Sequence, residues 1–122
     1  MIKTIFFCIT MSLFITACSK KSTSNTTSVD YQVVATNSSM INIIYNNVLG
    51  NKVSTSSQNS WTFNIPNVTK PFTAYIQAAS NSPFTSVTTE CTVTILVNGS
   101  VVKTATISSN TIATAEAEFV IQ

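Results

Sequence analysis

"TECTVTILVNGSVVKTATISS", Thr89 to Ser109, is the stretch whose reading decides the fold class. Two apolar runs flank Asn98-Gly99, the strongest short-range signal for a two-residue β-hairpin. The type I′ turn needs positive φ at both central residues, which Asn and Gly tolerate best. That loop pairs Val97 with Ser100, Ile95 with Val102 and Val93 with Thr104. Cys91, Val93, Ile95, Val97 and Val102 then share one face, and Thr94 and Lys103 point the other way. The face is self-consistent, because the only nearby lysine points away from the apolar set.

Working outward, the apolar period stays at two and never becomes 3.6. Tyr31, Val33 and Ala35 alternate with Gln32, Val34 and Thr36. Ile41, Ile43 and Tyr45 do the same, as do Trp61, Phe63 and Ile65, then Phe72, Ala74, Ile76 and Ala78, and finally Ala113 to Ile121. Turn residues fall between the runs, at Asn37-Ser38-Ser39, Asn46-Asn47 to Gly50-Asn51, Pro66-Asn67 and Asn81-Ser82-Pro83. About seven short strands over 29–122, with one tryptophan near the middle, predict an all-β, immunoglobulin-like two-sheet antiparallel sandwich. A small closed β-barrel is the alternative.

Composition narrows the function. The chain has 122 residues, 44% hydrophobic and only 8% charged, with a net charge of +2 and no histidine. One domain fits in that length. Nucleic-acid binding through phosphate neutralisation has almost no cations to work with. The missing histidine removes the commonest general base and the commonest transition-metal ligand.

The N-terminus carries its own signal. Met1-Ile2-Lys3 is a short positive region, followed by an apolar stretch from Thr4 to Ile15. That stretch is too short to span a bilayer, which takes roughly 20 apolar residues, so it reads as a signal peptide. Ordinary signal peptidase cleavage would need a small residue where Ile15 stands. Ile15-Thr16-Ala17-Cys18 instead resembles the lipobox of bacterial lipoproteins at every position. The resemblance implies recognition of Ile15, Thr16 and Ala17 by the signal peptidase and acylation of Cys18, whose sulfur is the nucleophile that accepts the lipid. One acyl chain holds a protein only marginally, whereas two or three anchor it stably. The expected organisation is a signal peptide over 1–17, the lipidated cysteine and a polar, flexible tether over 18–28, and the sandwich over 29–122. Ser19 is not an acidic retention-type residue and no acidic run comes after it. By the usual sorting rule the address is the bacterial cell envelope, at the outer membrane and facing the periplasm.

Four segments carry a second resemblance. "VDYQVVATNSSMINIIYNN" (29–47) and "SWTFNIPN" (60–67) resemble the first strands and the tryptophan strand of the MmpS family (mycobacterial membrane protein, small). "PFTAYIQAAS" (71–80) resembles the next strand of that family, and the Thr89–Ser109 hairpin resembles its last hairpin. The resemblance implies an immunoglobulin-like domain outside the cytoplasm, accessory to lipid-exporting transporters of the RND class. Two features depart from it. The anchor here is a lipobox instead of a transmembrane helix. The family's hairpin cysteine pairs with one on the last strand, and "AEAEFVIQ" (115–122) has none, so Cys91 is expected to be free and buried.

Candidate chemistry is sparse. Glu116 and Glu118 share one strand face, as a glycosidase pair would, but two solvated positions on an edge strand that discourage aggregation are the reading adopted. Glu90 points away from Cys91, and Cys91 has no histidine to activate it. Trp61, Phe63 and Tyr75 are either core aromatics or the lining of a carbohydrate or lipid cleft. No cluster has the spacing of a metal or cofactor site. The expectation is a non-enzymatic, lipid-anchored envelope protein that binds or scaffolds a partner, such as an RND-type transporter. The alternative is a carrier of a small lipid or sugar between the sheets.

Overall fold

The computed structural model describes residues 26–122, so the expected signal peptide, Cys18 and most of the expected tether lie outside the described residues. The described chain is all β. Its strands are β1 (Thr27–Thr36), β2 (Met40–Asn46), β3 (Lys52–Ser57), β4 (Ser60–Val68), β5 (Phe72–Asn81), β6 (Thr89–Val97), β7 (Ser100–Ser109) and β8 (Ile112–Ile121). They form two antiparallel four-stranded sheets, ordered β4-β1-β6-β7 and β3-β2-β5-β8. The sheets pack face to face and neither closes on itself. A sandwich is therefore correct and the barrel is not.

Two details differ from the sequence expectation. There are eight strands, because β3, Lys-Val-Ser-Thr-Ser-Ser, has no apolar alternation to betray it. It is an edge strand exposed along most of its length, so burial never selected apolar residues there. The first strand also begins at Thr27, which takes Thr27 and Ser28 from the expected tether into the sheet.

Only β2–β3 and β6–β7 are hairpins within one sheet. Every other connection crosses to the opposite sheet and laces the two layers together. The shared core holds Val29, Tyr31, Val33, Ile41, Ile43, Ile76, Val93 and Ile95, all fully buried. These are the inward positions of the period-two pattern, and adding Leu-sized side chains to water-excluded positions contributes ~1.5–3 kcal/mol each.

The Asn98-Gly99 turn forms as expected, with φ of 50° and 80°. Val97 pairs with Ser100 as expected, but the register then shifts. Leu96 faces Val101, Ile95 faces Lys103 and Val93 faces Ala105, so the expected pairs Ile95–Val102 and Val93–Thr104 do not form. Val102 is the extra residue of a β-bulge, which lets an edge strand turn one side chain toward the core. Val102 accordingly packs against the core. The shift also overturns the expected face of Lys103, which sits opposite the buried Ile95 on the inner side of the sheet and reaches solvent because β7 is an edge strand.

The sandwich is a wedge. Along β5, β6, β7 and β8 the two sheets approach to Cα separations within 8 Å, closer than the ~10 Å usual for packed sheets. The reason is side-chain size: Ala74, Ala78, Ala113, Ala115 and Ala117 are all buried there. At the opposite edge, between β3 and β4, large rings fill the space.

Candidate functional site

The β3/β4 edge gathers four aromatic residues from three strands. Trp61 and Phe63 lie on the inner face of β4, because their partners across the sheet are the buried Val33 and Tyr31. Tyr45 reaches them from the other sheet, with ring centroids 4.9 Å from Trp61 and 5.0 Å from Phe63. Trp61 and Phe63 are stacked nearly parallel at 5.9 Å, and Tyr31 lies 5.7 Å from Tyr45. Such tilted and offset pairs are the favoured ring geometries.

The cluster is graded from dry to wet. Tyr31 is fully buried and its hydroxyl donates to the Asn46 carbonyl at 3.0 Å. Burial pushes that hydroxyl's pKa up to about 12. Tyr45 and Trp61 are half-buried, and Phe63 is 38% exposed. Among the described residues no further strand covers them, so the outer rings present apolar surface at an open edge. Among residues singled out from sequence, Trp61 and Phe63 do meet. Tyr75 does not join them. It lies on the outer face of the β3-β2-β5-β8 sheet, where alternation with Ala74 and Ile76 puts it, so those three residues do not line one cleft. Tyr31 and Tyr45 take its place. Their inward direction is readable from alternation, but which strands oppose each other across the sandwich is not.

Tyr75 belongs to a separate polar patch. Lys52 Nζ lies 4.1 Å above its ring, a cation–π contact. Burial, then the nearby carboxylates of Glu116 and Glu118, hold its hydroxyl above the usual range. Gln77 Nε2 donates to Glu116 at 3.3 Å. Glu116 and Glu118 are both exposed on the same side of β8, as the alternation predicts. Glu90 is exposed while Cys91, next to it, is fully buried. The Cys91 thiol donates to the Ala78 carbonyl at 3.6 Å. Burial raises its pKa, only partly offset by a backbone hydrogen bond from Ala115. A protonated, enclosed thiol is a packing group and a poor nucleophile.

Ile15, Thr16, Ala17 and Cys18 lie outside the described residues, but the chain's point of entry is well defined. Ser28 N–H donates to Asn98 Oδ1 at 2.9 Å, and Asn98 N–H donates back to the Ser28 carbonyl at 3.0 Å. The turn residue thus clamps the start of β1 to the end of the sandwich that carries the β2–β3 and β6–β7 turns.

No family model matches this chain, and no curated protein does. Among the described residues, no helix is long and apolar enough to cross a membrane, and no group of three or more Cys, Asp or Glu side chains is placed to hold a metal.

Proposed function

We propose that this protein is a non-catalytic, lipid-anchored component of the bacterial envelope that binds or scaffolds a protein partner through the open β3/β4 edge. The observation that carries the reading is the half-exposed Tyr45–Trp61–Phe63 cluster at an uncovered sheet edge. Aromatic anchors beside unpaired strand backbone are what protein interfaces concentrate. The lipobox ending at Cys18 supplies the location, the outer membrane facing the periplasm. The resemblance to MmpS domains makes an RND-class exporter the first partner to test.

A photo-crosslinker in place of Thr62, beside the cluster in sequence and on the exposed face of the same strand, should trap that partner in native membranes. Trp61→Ala with Phe63→Ala should abolish the product while the domain stays folded. An unchanged product in the double variant rules out the edge as the contact. Cys18→Ala should release the protein from membranes, and full retention would overturn the anchor.

The same flat, stacked rings favour a second reading, a binder of a small lipid or sugar at that edge. Quenching or enhancement of the single Trp61 fluorescence by envelope lipid or glycan extracts, with no crosslinked protein, would select it over the first.

A further inference from the structure

The β2–β3 turn holds two apolar side chains out in solvent: Val48 is 52% exposed and Leu49 is 78% exposed. They stand on a stiff tip. Asn47 N–H donates to the Asn51 carbonyl at 2.9 Å, and Gly50 N–H donates to the Asn47 carbonyl at 2.9 Å. The Asn47 side-chain oxygen accepts from Leu49 N–H at 3.0 Å and from Asn51 N–H at 3.1 Å. Four backbone donors of the tip are thus satisfied internally. A turn that leaves few bare N–H groups is one that can enter a poorly hydrated region without a large desolvation penalty.

The position of this tip is the second observation. It projects from the end of the sandwich at which the chain enters at Thr27, the end that also holds the Asn98-Gly99 turn and the 69–71 loop. Residues 19–26 separate Cys18 from Thr27, a stretch that spans about 30 Å when fully extended. A lipidated Cys18 therefore holds this end, and not the opposite one, within about 30 Å of the bilayer.

Charge is the third. The lysines of the described residues are Lys52, Lys70 and Lys103. Lys52 opens β3 directly after the tip, Lys70 is in the loop beside it, and Lys103 lies just beyond the β6–β7 turn; all three are exposed. Of the acids nearest this end, Asp30 accepts a hydrogen bond from Asn64 Nδ2 at 2.6 Å and Glu118 lies on the outer face of β8. The loops at the far end, 37–39, 58–59, 82–88 and 110–111, contain no charged residue, although Phe84 is exposed there too. Exposed apolar surface occurs at both ends, but only one end combines it with cations.

We infer that the Val48-Leu49 tip, flanked by Lys52 and Lys70, docks onto the anionic lipid surface that carries the anchor. The inference rests on the lipidation of Cys18. Leu49 and Val48 enter the headgroup region while the lysines meet lipid phosphates, and both terms are individually weak. The tether compensates for that weakness, because it holds the tip at an effective concentration of roughly millimolar. Docking at this end leaves the β3/β4 edge, which runs along the side of the sandwich, free for a partner.

The test uses the mature lipidated chain on vesicles of phosphatidylcholine mixed with phosphatidylglycerol. An environment-sensitive fluorophore is placed at Leu49→Cys, or at Asn110→Cys on the opposite end as control. Cys91 is buried and stays unlabelled. The label at position 49 should shift to the blue and resist an aqueous quencher several-fold better than the label at 110. Lys52→Glu with Lys70→Glu, or vesicles of phosphatidylcholine alone, should return position 49 to water. Equal quenching at 49 and 110 on anionic vesicles overturns the inference. Shielding of position 49 without vesicles also overturns it, in favour of a second copy as occupant. The mass of the acyl chains reports the anchor separately. In unacylated Cys18→Ser protein, a blue shift at 49 should appear once anionic vesicles supply roughly the millimolar concentration that the tether provides, and no shift there overturns docking whatever the state of the anchor.

Discussion

The two long edges of the sandwich are built from opposite materials. Along β8 most of the buried positions are alanines, Ala113, Ala115 and Ala117, with Ala105 of β7 also packed against the core, and the sheets close to within 8 Å. At the β3/β4 edge the inner positions are Trp61 and Phe63 of β4, met by Tyr45 of β2, and the rings bridge the sheets while remaining partly wet. Small side chains let two backbones approach until no space is left over. Large ones on an edge strand prop the layers apart and cannot all be covered. The closed edge is thus built for stability, and the open edge is the one to which the proposed recognition is assigned.

The sharpest way to break the contrast is to enlarge the closed edge. Ala115 is fully buried on β8, where the sheets approach to within 8 Å. Ala115→Leu should destabilise the fold by about 3 kcal/mol, because overpacking forces the backbone apart. Denaturant unfolding followed by Trp61 emission would measure it, and a loss under about 1 kcal/mol would mean that the edge has slack.

The dry end of the open edge can be probed by pH. Tyr31 has its hydroxyl pKa raised from 10.0 to about 12 in the folded state. The unfolded phenol ionises first, so the stability is complete below pH 10 and falls as pH rises toward 12. The expected loss is about 2–3 kcal/mol across that window. Tyr31→Phe should flatten this alkaline slope, at the expense of the hydrogen bond to Asn46.

The wet end should matter less to stability. Trp61→Ala removes a half-buried ring and should cost about 2 kcal/mol, less than the 3–5 expected for a fully buried one. It should remove partner binding altogether. A smaller stability loss than that of Ala115→Leu, with a larger functional loss, is the pattern that the two edges predict.

The smallest effect concerns neither edge. Asn98 combines positive φ with reciprocal hydrogen bonds to Ser28. Asn98→Ala should lower stability by about 1 kcal/mol and expose the Thr27–Ser28 segment to protease, read as faster cleavage at the start of β1.

Much of this architecture is legible in the residues. Period-two alternation places Tyr31, Val33, Ile41, Ile43, Val93 and Ile95 inside, and Asn98-Gly99 names its own turn. β3 is not legible, because an exposed edge strand held by backbone pairing needs no apolar pattern. The bulge at Val102 escapes the sequence for a related reason: two adjacent valines fit either register, and only packing against the core chooses between them. The candidate site is half legible. Trp61 and Phe63 stand out, but only aromatic character groups Tyr75 with them, and alternation with Ala74 and Ile76 sends it to the outer face.

By itself the sequence determined the local chemistry: strand period, the positive-φ turn and the face on which most side chains fall. These depend on a residue and its near neighbours. The tertiary structure alone decided which strands oppose each other across the core, and so brought Tyr45 of one sheet onto Trp61 and Phe63 of the other. It also decided that alanines meet at one edge and rings at the other, and that the Val48-Leu49 tip shares an end with the chain's entry. Those outcomes come from how crossing connections lace two sheets together, a choice made by the whole core at once.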